Sequence, residues 1–163
     1  MKKLWALPLS IILILIDYYT KYLTRVHLDG SSKKIIDGVF ELTFVKNTGA
    51  AFGILKNQKY FFIAITVVFL IVSIVLLYKL NLQKRYIPFG LSIIFLISGA
   101  IGNFIDRITL GYVTDMLYFK LIDFPVFNVA DCYITVSVIV LMILIIFVYK
   151  DDEPLFISKS KND

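Results

Sequence analysis

The chain has 163 residues, a formal net charge of +5 and 59% hydrophobic residues, whereas a typical soluble domain is about 45–50% apolar. A single cysteine, Cys132, excludes an internal disulfide, and a single histidine, His27, argues against a His-based metal site or a Cys/His catalytic pair. The basic residues form no stripe with interleaved aromatics, so no nucleic-acid partner is expected.

The hydrophobic residues lie in four long blocks, and the second and third carry no charge. A hydrocarbon core of about 30 Å needs roughly 20 helical residues, at about 1.5 Å each. We therefore predict an all-α membrane protein with four transmembrane helices. It forms a single integral-membrane domain over 1–163, with spans at about 4–21, 60–78, 87–105 and 131–149.

The first block resembles a secretory signal peptide, because Lys2 and Lys3 precede the apolar run LWALPLSIILILI. No small-residue cleavage site follows, and the chain continues as DYYTKYL with three further apolar blocks behind it. We interpret the block as a retained first helix.

Four spans place both termini and the loop at 79–86 on one side of the membrane. Eight basic residues fall there in a short total length, and a similar number on the other side is spread over about twice as many residues, 24–59 and 106–128. The positive-inside rule then predicts cytoplasmic termini. The eight are Lys2, Lys3, Lys79, Lys84, Arg85, Lys150, Lys159 and Lys161.

The two extracytoplasmic loops are predicted to contain β-structure. The first, at about 24–59, includes KKIIDGVFELTFVKN, in which β-branched and aromatic residues flank an Asp-Gly turn signal. We predict a small hairpin or curved sheet on the membrane face, followed by a small-residue loop, NTGAAFG, at 47–53. The second loop, 106–128, should contain short strands and turns, and the polar tail KDDEPLFISKSKND should be frayed.

Ionisable groups at membrane depth are costly and persist when they are paired, wetted or functional. Asp17 and Lys21 lie four residues apart and share a helix face, which is also typical of a local salt bridge at a helix end. Asn103 and Arg107 share a face in the same way, and helix packing with an interfacial arginine would explain them equally well. Asp106 points elsewhere and is predicted to be solvated or capping.

Asp115 and Asp131 have no basic residue three or four positions away. Asp131 opens the last span, three residues after Asn128, where a helix N-cap is an alternative role. Asp115 lies in the strand-like run YVTDMLYF. Two carboxylates brought close together cannot both ionise easily, so the pair can hold one proton and act as acid and base. We predict that they form one water-activating site.

Five segments of the chain carry a family resemblance. The chain closely resembles bacterial lipoprotein signal peptidase, or signal peptidase II, over nearly its whole length and in the same order of blocks. The blocks are DYYTK, KNTGAAFG, GAIGNFIDR, GYVTD and FNVAD.

The resemblance implies a membrane aspartic endopeptidase with Asp115 and Asp131 as its catalytic dyad. Asn128 and Ala130 would belong to the motif that positions Asp131. The other matching polar and glycine positions would line or brace the substrate site. They are Asp17, Lys21, Asn47, Gly49, Gly99, Asn103 and Arg107.

The resemblance also implies the substrate and the setting. The family cuts signal peptides from prolipoproteins just before a cysteine that carries diacylglycerol, and the cyclic peptide globomycin blocks it. We therefore expect lipidated precursors, membrane lipids and globomycin-type inhibitors as ligands. We expect no metal or cofactor, and a monomer in the bacterial cytoplasmic membrane with its active site on the extracytoplasmic face.

Three residues depart from the family pattern. Met116 stands where the family usually has phenylalanine, and Cys132 and Tyr133 stand where it often has small residues. They flank the dyad, so they bear on substrate preference and inhibitor fit more than on the reaction. Cys132 has no base placed to activate it as a nucleophile.

Two other functions fit parts of the sequence. Acidic and basic residues near a wet cavity are also typical of a proton-coupled small membrane transporter, but the chain has no inverted repeat and its charges gather toward one face. A metal-dependent lipid-head-group transferase would need several acidic ligands in close order, and Asp115 and Asp131 are sixteen residues apart.

Overall fold

The computed structural model describes residues 6–28, 31–49, 55–80 and 83–149. Four helices dominate this part of the chain, and all four are long and apolar enough to cross a membrane. They are α1 (Ala6–His27), α2 (Lys59–Lys79), α3 (Ile87–Thr109) and α4 (Val129–Ile143), and a π-helical segment, Leu144–Val148, extends α4.

Helix α3 forms the centre of the bundle. In its most apolar stretch 67% of the residues are buried, against 6–17% in the other three helices. Small residues such as Ser98, Gly99 and Gly102 are buried along it and allow neighbouring helices to approach closely. The other helices leave most of their apolar side chains exposed, as helices in contact with lipid do.

An aromatic cluster closes one end of this bundle. Tyr86, Phe89 and Tyr149 pack edge to face, with ring centroids 5.3 and 6.2 Å from Tyr149. Tyr149 also donates a hydrogen bond of 2.8 Å to the carbonyl oxygen of Arg85. Asp115, Asp131 and the polar side chains that bind them lie toward the other end, where the strands are.

A three-stranded antiparallel sheet joins the helices there, in the order β1 (Ser32–Ile36), β2 (Phe40–Asn47) and β3 (Val113–Phe119). Gly38, at φ +70°, makes the β1–β2 turn that the Asp-Gly signal predicted. The predicted fold class, four apolar helices with a small sheet, is confirmed. Residues 50–53 of the small-residue loop, the residue after them and the tail from 150 onward lie outside the described residues.

Strand β3 matters most for the site because it carries Asp115. It pairs with β2, with Asp115 opposite Val45, and the register shifts between Leu42 and Val45. On its other side, the backbone N–H groups of Met116 and Leu117 both donate to the carbonyl oxygen of Phe127, at 2.9 and 2.8 Å. The chain just before α4 is thereby fixed beside β3.

Candidate active site

Asp115 and Asp131 line the same cavity, which has a volume of about 510 Å³. Asp115 comes from the middle of β3 and is 1% exposed, whereas Asp131 comes from the first turn of α4 and is partly exposed. Two separate segments therefore bring both carboxylates to one site. The other polar residues that line the cavity are Asn47, Gly49, Asn103, Arg107, Cys132 and Thr135, with an apolar wall of Val113, Phe124, Pro125, Val126, Phe127 and Val136.

Asn128 connects the two aspartates. Its side-chain Nδ2 donates to Asp115 Oδ1 at 2.7 Å, and its Oδ1 accepts from the backbone N–H of Asp131 at 3.0 Å. Asp131 Oδ2 in turn accepts from the backbone N–H of Asn128 at 3.2 Å, which completes a reciprocal capping box at the start of α4. The alternative of Asp131 as the N-cap is wrong, because the helix begins at Val129 and Asn128 is the cap.

Asn103 holds Asp131 from the side of α3. Its Nδ2 donates to Asp131 Oδ1 at 2.7 Å. Its Oδ1 accepts from Lys21 Nζ at 2.9 Å and from Asn128 Nδ2 at 3.1 Å. These two donors fix the orientation of the Asn103 amide, since only the oxygen can accept them.

The segment after β2 reaches the other carboxylate. Asn47 Nδ2 donates to Asp115 Oδ2 at 2.8 Å, and Asn47 Oδ1 accepts from the backbone N–H of Gly49 at 2.9 Å. Arg107 Nη2 lies 3.4 Å from the carbonyl oxygen of Gly49, and its guanidinium stacks 4.8 Å from the centre of the Phe62 ring. Both predicted loop residues therefore lie at the dyad.

The surroundings of Asp115 favour its protonated form. Burial is the largest cause, and the neighbouring negative charge of Asp131 adds to it, so the pKa of Asp115 rises to about 7. The hydrogen bonds from Asn47 and Asn128 act in the opposite direction because they stabilise the carboxylate. Below about pH 7 the protonated form of Asp115 therefore predominates.

Asp17 and Lys21 brace the site from α1. Lys21 Nζ lies 2.8 Å from Asp17 Oδ2, and both side chains are only 1% exposed. Asp17 Oδ1 accepts from the backbone N–H of Ala130 at 2.9 Å, which fixes the first turn of α4 against α1. The pair is thus buried between helices and is more than a local salt bridge at a helix end.

Asp106 is where the sequence-based prediction was wrong. Its side chain is 2% exposed instead of solvated, and it caps no helix. It accepts from the backbone N–H of Thr114 at 2.8 Å and lies 3.7 Å from both Lys21 Nζ and Arg25 Nη1. The reason is that the chain folds back after α3, so that the start of β3 covers Asp106.

Sequence reasoning also missed Arg25 and Thr114. Arg25 Nη1 donates to Thr114 Oγ1 at 3.0 Å, directly beside Asp115 in the chain. A signal was available on α1, because Asp17, Lys21 and Arg25 recur every four residues and form one charged face.

Gly99 and Ala130 are packing residues. A Cβ on Gly99 would lie 2.5 Å from the carbonyl oxygen of Ala130, so α3 and α4 approach at this point as only glycine permits. A Cβ on Gly102 would lie 2.4 Å from Asp17 Oδ2. Gly99 therefore does not line the cavity, and Ala130, which is 0% exposed, acts through its backbone.

The arrangement can perform acid–base chemistry on a bound water. Two carboxylates line one cavity with apolar walls, and one of them, Asp115, has a raised pKa. A protonated and an ionised carboxyl group at one site can together act as acid and base. Across residues 6–28, 31–49, 55–80 and 83–149, no group of three or more His, Cys, Asp or Glu side chains could hold a metal ion.

Known proteins resemble this chain over most of its length. The family model described as Signal peptidase (SPase) II matches residues 9–147. A lipoprotein signal peptidase from Streptococcus thermophilus is 45% identical over 142 residues, which is 86% of this chain and 92% of the relative. The enzyme of that name from Brevibacillus brevis is 44% identical over 141 residues, 86% of this chain and 93% of the relative.

Solved structures show the same fold. A bacterial membrane enzyme determined by the in meso method at 2.3 Å resolution superposes with a TM-score of 0.77 and 29% identity, covering 94% of each chain. A second, at 1.9 Å resolution, gives a TM-score of 0.75 and 31% identity, covering 87% of this chain and 92% of its own.

Proposed function

The chain belongs to the signal peptidase II family, and on that premise we propose that it is an aspartic endopeptidase whose dyad is Asp115 and Asp131. It is a membrane-embedded peptidase that removes signal peptides from prolipoproteins. We further propose that it cuts its precursors just before a cysteine that carries diacylglycerol. Membership in a peptidase family favours hydrolysis over the proton-coupled transport considered above.

One observation carries this assignment. A single side chain, Asn128, donates to Asp115 at 2.7 Å while its backbone and amide oxygen form a capping box with Asp131. The two carboxylates are thus held in a fixed relation across one cavity, and the raised pKa of Asp115, at about 7, keeps its protonated form populated near neutral pH.

The geometry supports the following sequence of proton movements. Asp131, as the carboxylate, takes a proton from a water molecule as its oxygen attacks the scissile carbonyl carbon. Protonated Asp115 donates to the carbonyl oxygen, giving a neutral tetrahedral intermediate. When the C–N bond breaks, the leaving nitrogen receives the proton held by Asp131. A hydroxyl of the intermediate returns its proton to Asp115 as the carboxylic acid product forms, so that one proton is again on the pair.

The surrounding residues bind and orient the substrate in this proposal. Arg107 and the Asn47–Gly49 segment offer polar groups beside the dyad, and the peptide backbone of an extended precursor could hydrogen-bond to them. The apolar wall, which includes Phe124, Val126 and Val136, suits lipid chains and the signal helix.

We place the protein in the bacterial cytoplasmic membrane as a monomer, with cytoplasmic termini and the dyad at the extracytoplasmic face. The positive-inside distribution supports this orientation. Globomycin-type inhibitors are expected to occupy the cavity.

Cleavage of a synthetic precursor by the purified full chain tests the proposal. A diacylglyceryl-modified precursor should be cut before its lipidated cysteine, an unmodified one should not, and globomycin should stop the reaction. Asp115→Asn and Asp131→Asn should each fold and lose cleavage by at least about 10³-fold. Asp37→Asn is the matched control, because Asp37 is 81% exposed in the β1–β2 turn.

Full activity in either the Asp115→Asn or the Asp131→Asn variant would show that this aspartate takes no part in the reaction. Cleavage of the unmodified precursor at an equal rate would contradict the assigned substrate.

A further inference from the structure

A second cavity of about 430 Å³ lies between α1 and the sheet. It is separate from the cavity of the dyad, since the two share no lining residue. We propose that this groove binds one anionic phospholipid of the surrounding membrane, with an acyl chain in the groove and its phosphate at the cationic end. The inference does not depend on the proposed catalytic dyad.

One wall of the groove is a single face of α1. The lining positions Thr20, Leu23, Thr24, His27 and Leu28 follow the i, i+3, i+4, i+7, i+8 pattern of one helical stripe. This stripe runs about 10 Å along the helix, at about 1.5 Å per residue, and His27 is the last residue of α1. The apolar part thus extends back along the membrane-spanning helix, and the imidazole lies at its end.

The other wall is a row of side chains across the sheet. Lys33 pairs with Leu42, and Leu42 pairs with Leu117, so these three neighbours project from one face. All three line the groove, together with Met116 and Val129. A lysine therefore stands at the edge of an apolar surface built from three strands.

Charge complementarity selects the occupant. Lys33 and His27 are the charged or titratable residues of the lining, and no acidic side chain belongs to it among the described residues. Both are exposed, and neither forms an ion pair with another described residue. A groove whose apolar lining also contains a lysine and an imidazole suits an acyl chain joined to a phosphate. Its volume lies within the roughly 300–1,000 Å³ of ligand sites.

A photoreactive lipid tests the inference. The full chain is reconstituted in phosphatidylcholine vesicles that contain a small fraction of phosphatidylglycerol carrying a diazirine in one acyl chain. After illumination, the label should concentrate in the peptides that contain Leu23, Leu42 and Met116. The same diazirine carried by phosphatidylcholine should modify these peptides about fivefold less. A factor of this size corresponds to the attraction of one lysine to an anionic lipid.

Two neighbouring lysines provide a matched pair of variants. Lys33→Glu should lower the phosphatidylglycerol label in the groove at least about fivefold. Lys34→Glu makes the same change in net charge, but Lys34 lies next along the strand and pairs with Asp37 at 2.8 Å, so the label should be retained. Leu23→Trp should fill the groove and lower the label from the α1 side, and circular dichroism should show that each variant folds.

Four results would overturn the inference. An equal loss in Lys33→Glu and Lys34→Glu would assign the binding to general surface charge. Label spread evenly over the exposed faces of the four helices would indicate bulk lipid only. Unchanged label in a folded Leu23→Trp variant would exclude the groove, and displacement of the label by a diacylglyceryl precursor peptide would make the groove part of the substrate site.

Discussion

At the scale of single residues, neutral amides hold the two aspartates of the proposed dyad. Asn47, Asn103 and Asn128 donate to the two carboxylates. Lys21 forms no ion pair with either of them and contacts Asp131 only indirectly, through the amide oxygen of Asn103. A cation bound directly to a carboxylate stabilises its ionised form and lowers its pKa by about 1–3 units. Amide donors orient the carboxylates and have a weaker effect, so the pKa of Asp115 stays raised in spite of its hydrogen bonds from Asn47 and Asn128.

The pH dependence of cleavage follows from this environment. Because Asp115 must donate a proton and its pKa is raised to about 7, kcat/KM should fall above pH 7 by about tenfold per pH unit. Asn47 stabilises the Asp115 carboxylate, so Asn47→Leu should raise the pKa of Asp115 further and move the alkaline limb to higher pH. Initial rates at low concentration of a lipidated precursor measure both profiles.

Asn47→Leu is also expected to lower the rate at every pH. The test therefore depends on the pH at which kcat/KM begins to fall, not on the size of the rate. A limb that stays in place, or that moves to lower pH, would mean that another group sets it. Thr43→Val is a control in the same strand, because Thr43 does not line the cavity.

Stability should also depend on pH through Asp115. The pKa of Asp115 is about 7 in the folded state, whereas the ordinary value for an aspartate is 3.8. Between pH 3.8 and pH 7 the folded protein therefore binds more protons than the unfolded chain. The stabilising contribution is complete below pH 3.8 and is lost as the pH rises through 7. The Asp115→Asn variant has no such loss. As the pH rises from 5 to 8, its apparent Tm in detergent should therefore increase relative to that of the parent protein. A constant difference in Tm over that range would contradict the raised pKa.

At the scale of elements, the approach of α3 to α4 sets the position of Asp131. A Cβ on Gly99 would come within 2.5 Å of the Ala130 carbonyl oxygen, which is backbone and cannot move aside cheaply. Gly99→Ala should therefore shift the first turn of α4 and reduce cleavage about 100-fold, as misplacement by about 1 Å can do.

Gly38→Ala is the control for this substitution. Gly38 has φ +70°, and nothing lies within 4 Å of the added Cβ, so alanine there should cost about 1–2 kcal/mol of backbone strain without moving the dyad. Equal cleavage by both alanine variants would show that the helix contact does not control the site.

How far the sequence predicts this structure depends on the range of each interaction. The spans, the Asp-Gly turn and the strand around Asp115 follow from local patterns, and the structure contains all of them. The surroundings of Asp106 could not be predicted, because they depend on where the chain returns after α3. The spacing from Asn128 to Asp131 was visible, but only the observed start of α4 shows which of the two residues is the cap.

At the scale of the whole molecule, four charges form one group between α1, α3 and β3. Three of them, Asp17, Lys21 and Asp106, are buried, and the fourth, Arg25, is 19% exposed. Asp17 and Asp106 balance Lys21 and Arg25, and the closest pair, Asp17 with Lys21, is almost fully shielded from solvent. In such a group the removal of one partner leaves an uncompensated buried charge, which costs about 3–5 kcal/mol.

A double-mutant cycle checks that balance. Asp17→Asn and Lys21→Met should each lower the apparent Tm strongly, whereas the double variant, which keeps the group neutral, should be less destabilised than the sum of the two. Asparagine retains an acceptor for the Ala130 N–H, so the cycle isolates the charge. Strict additivity in thermal unfolding would mean that the two charges do not stabilise each other.

The orientation of the molecule can be tested from the two ends of the bundle. Gln58 lies at the start of α2, on the side of the sheet and the dyad, and Gln83 lies just before α3, on the side of the Tyr86 and Tyr149 cluster. Both are exposed, and each can be changed to cysteine in a Cys132→Ser background. With cytoplasmic termini, a membrane-impermeant maleimide added to intact cells should label Gln58→Cys and leave Gln83→Cys unmodified until the cells are opened. The reverse pattern would place Asp115 and Asp131 on the cytoplasmic side and would contradict the orientation that the positive-inside rule predicts.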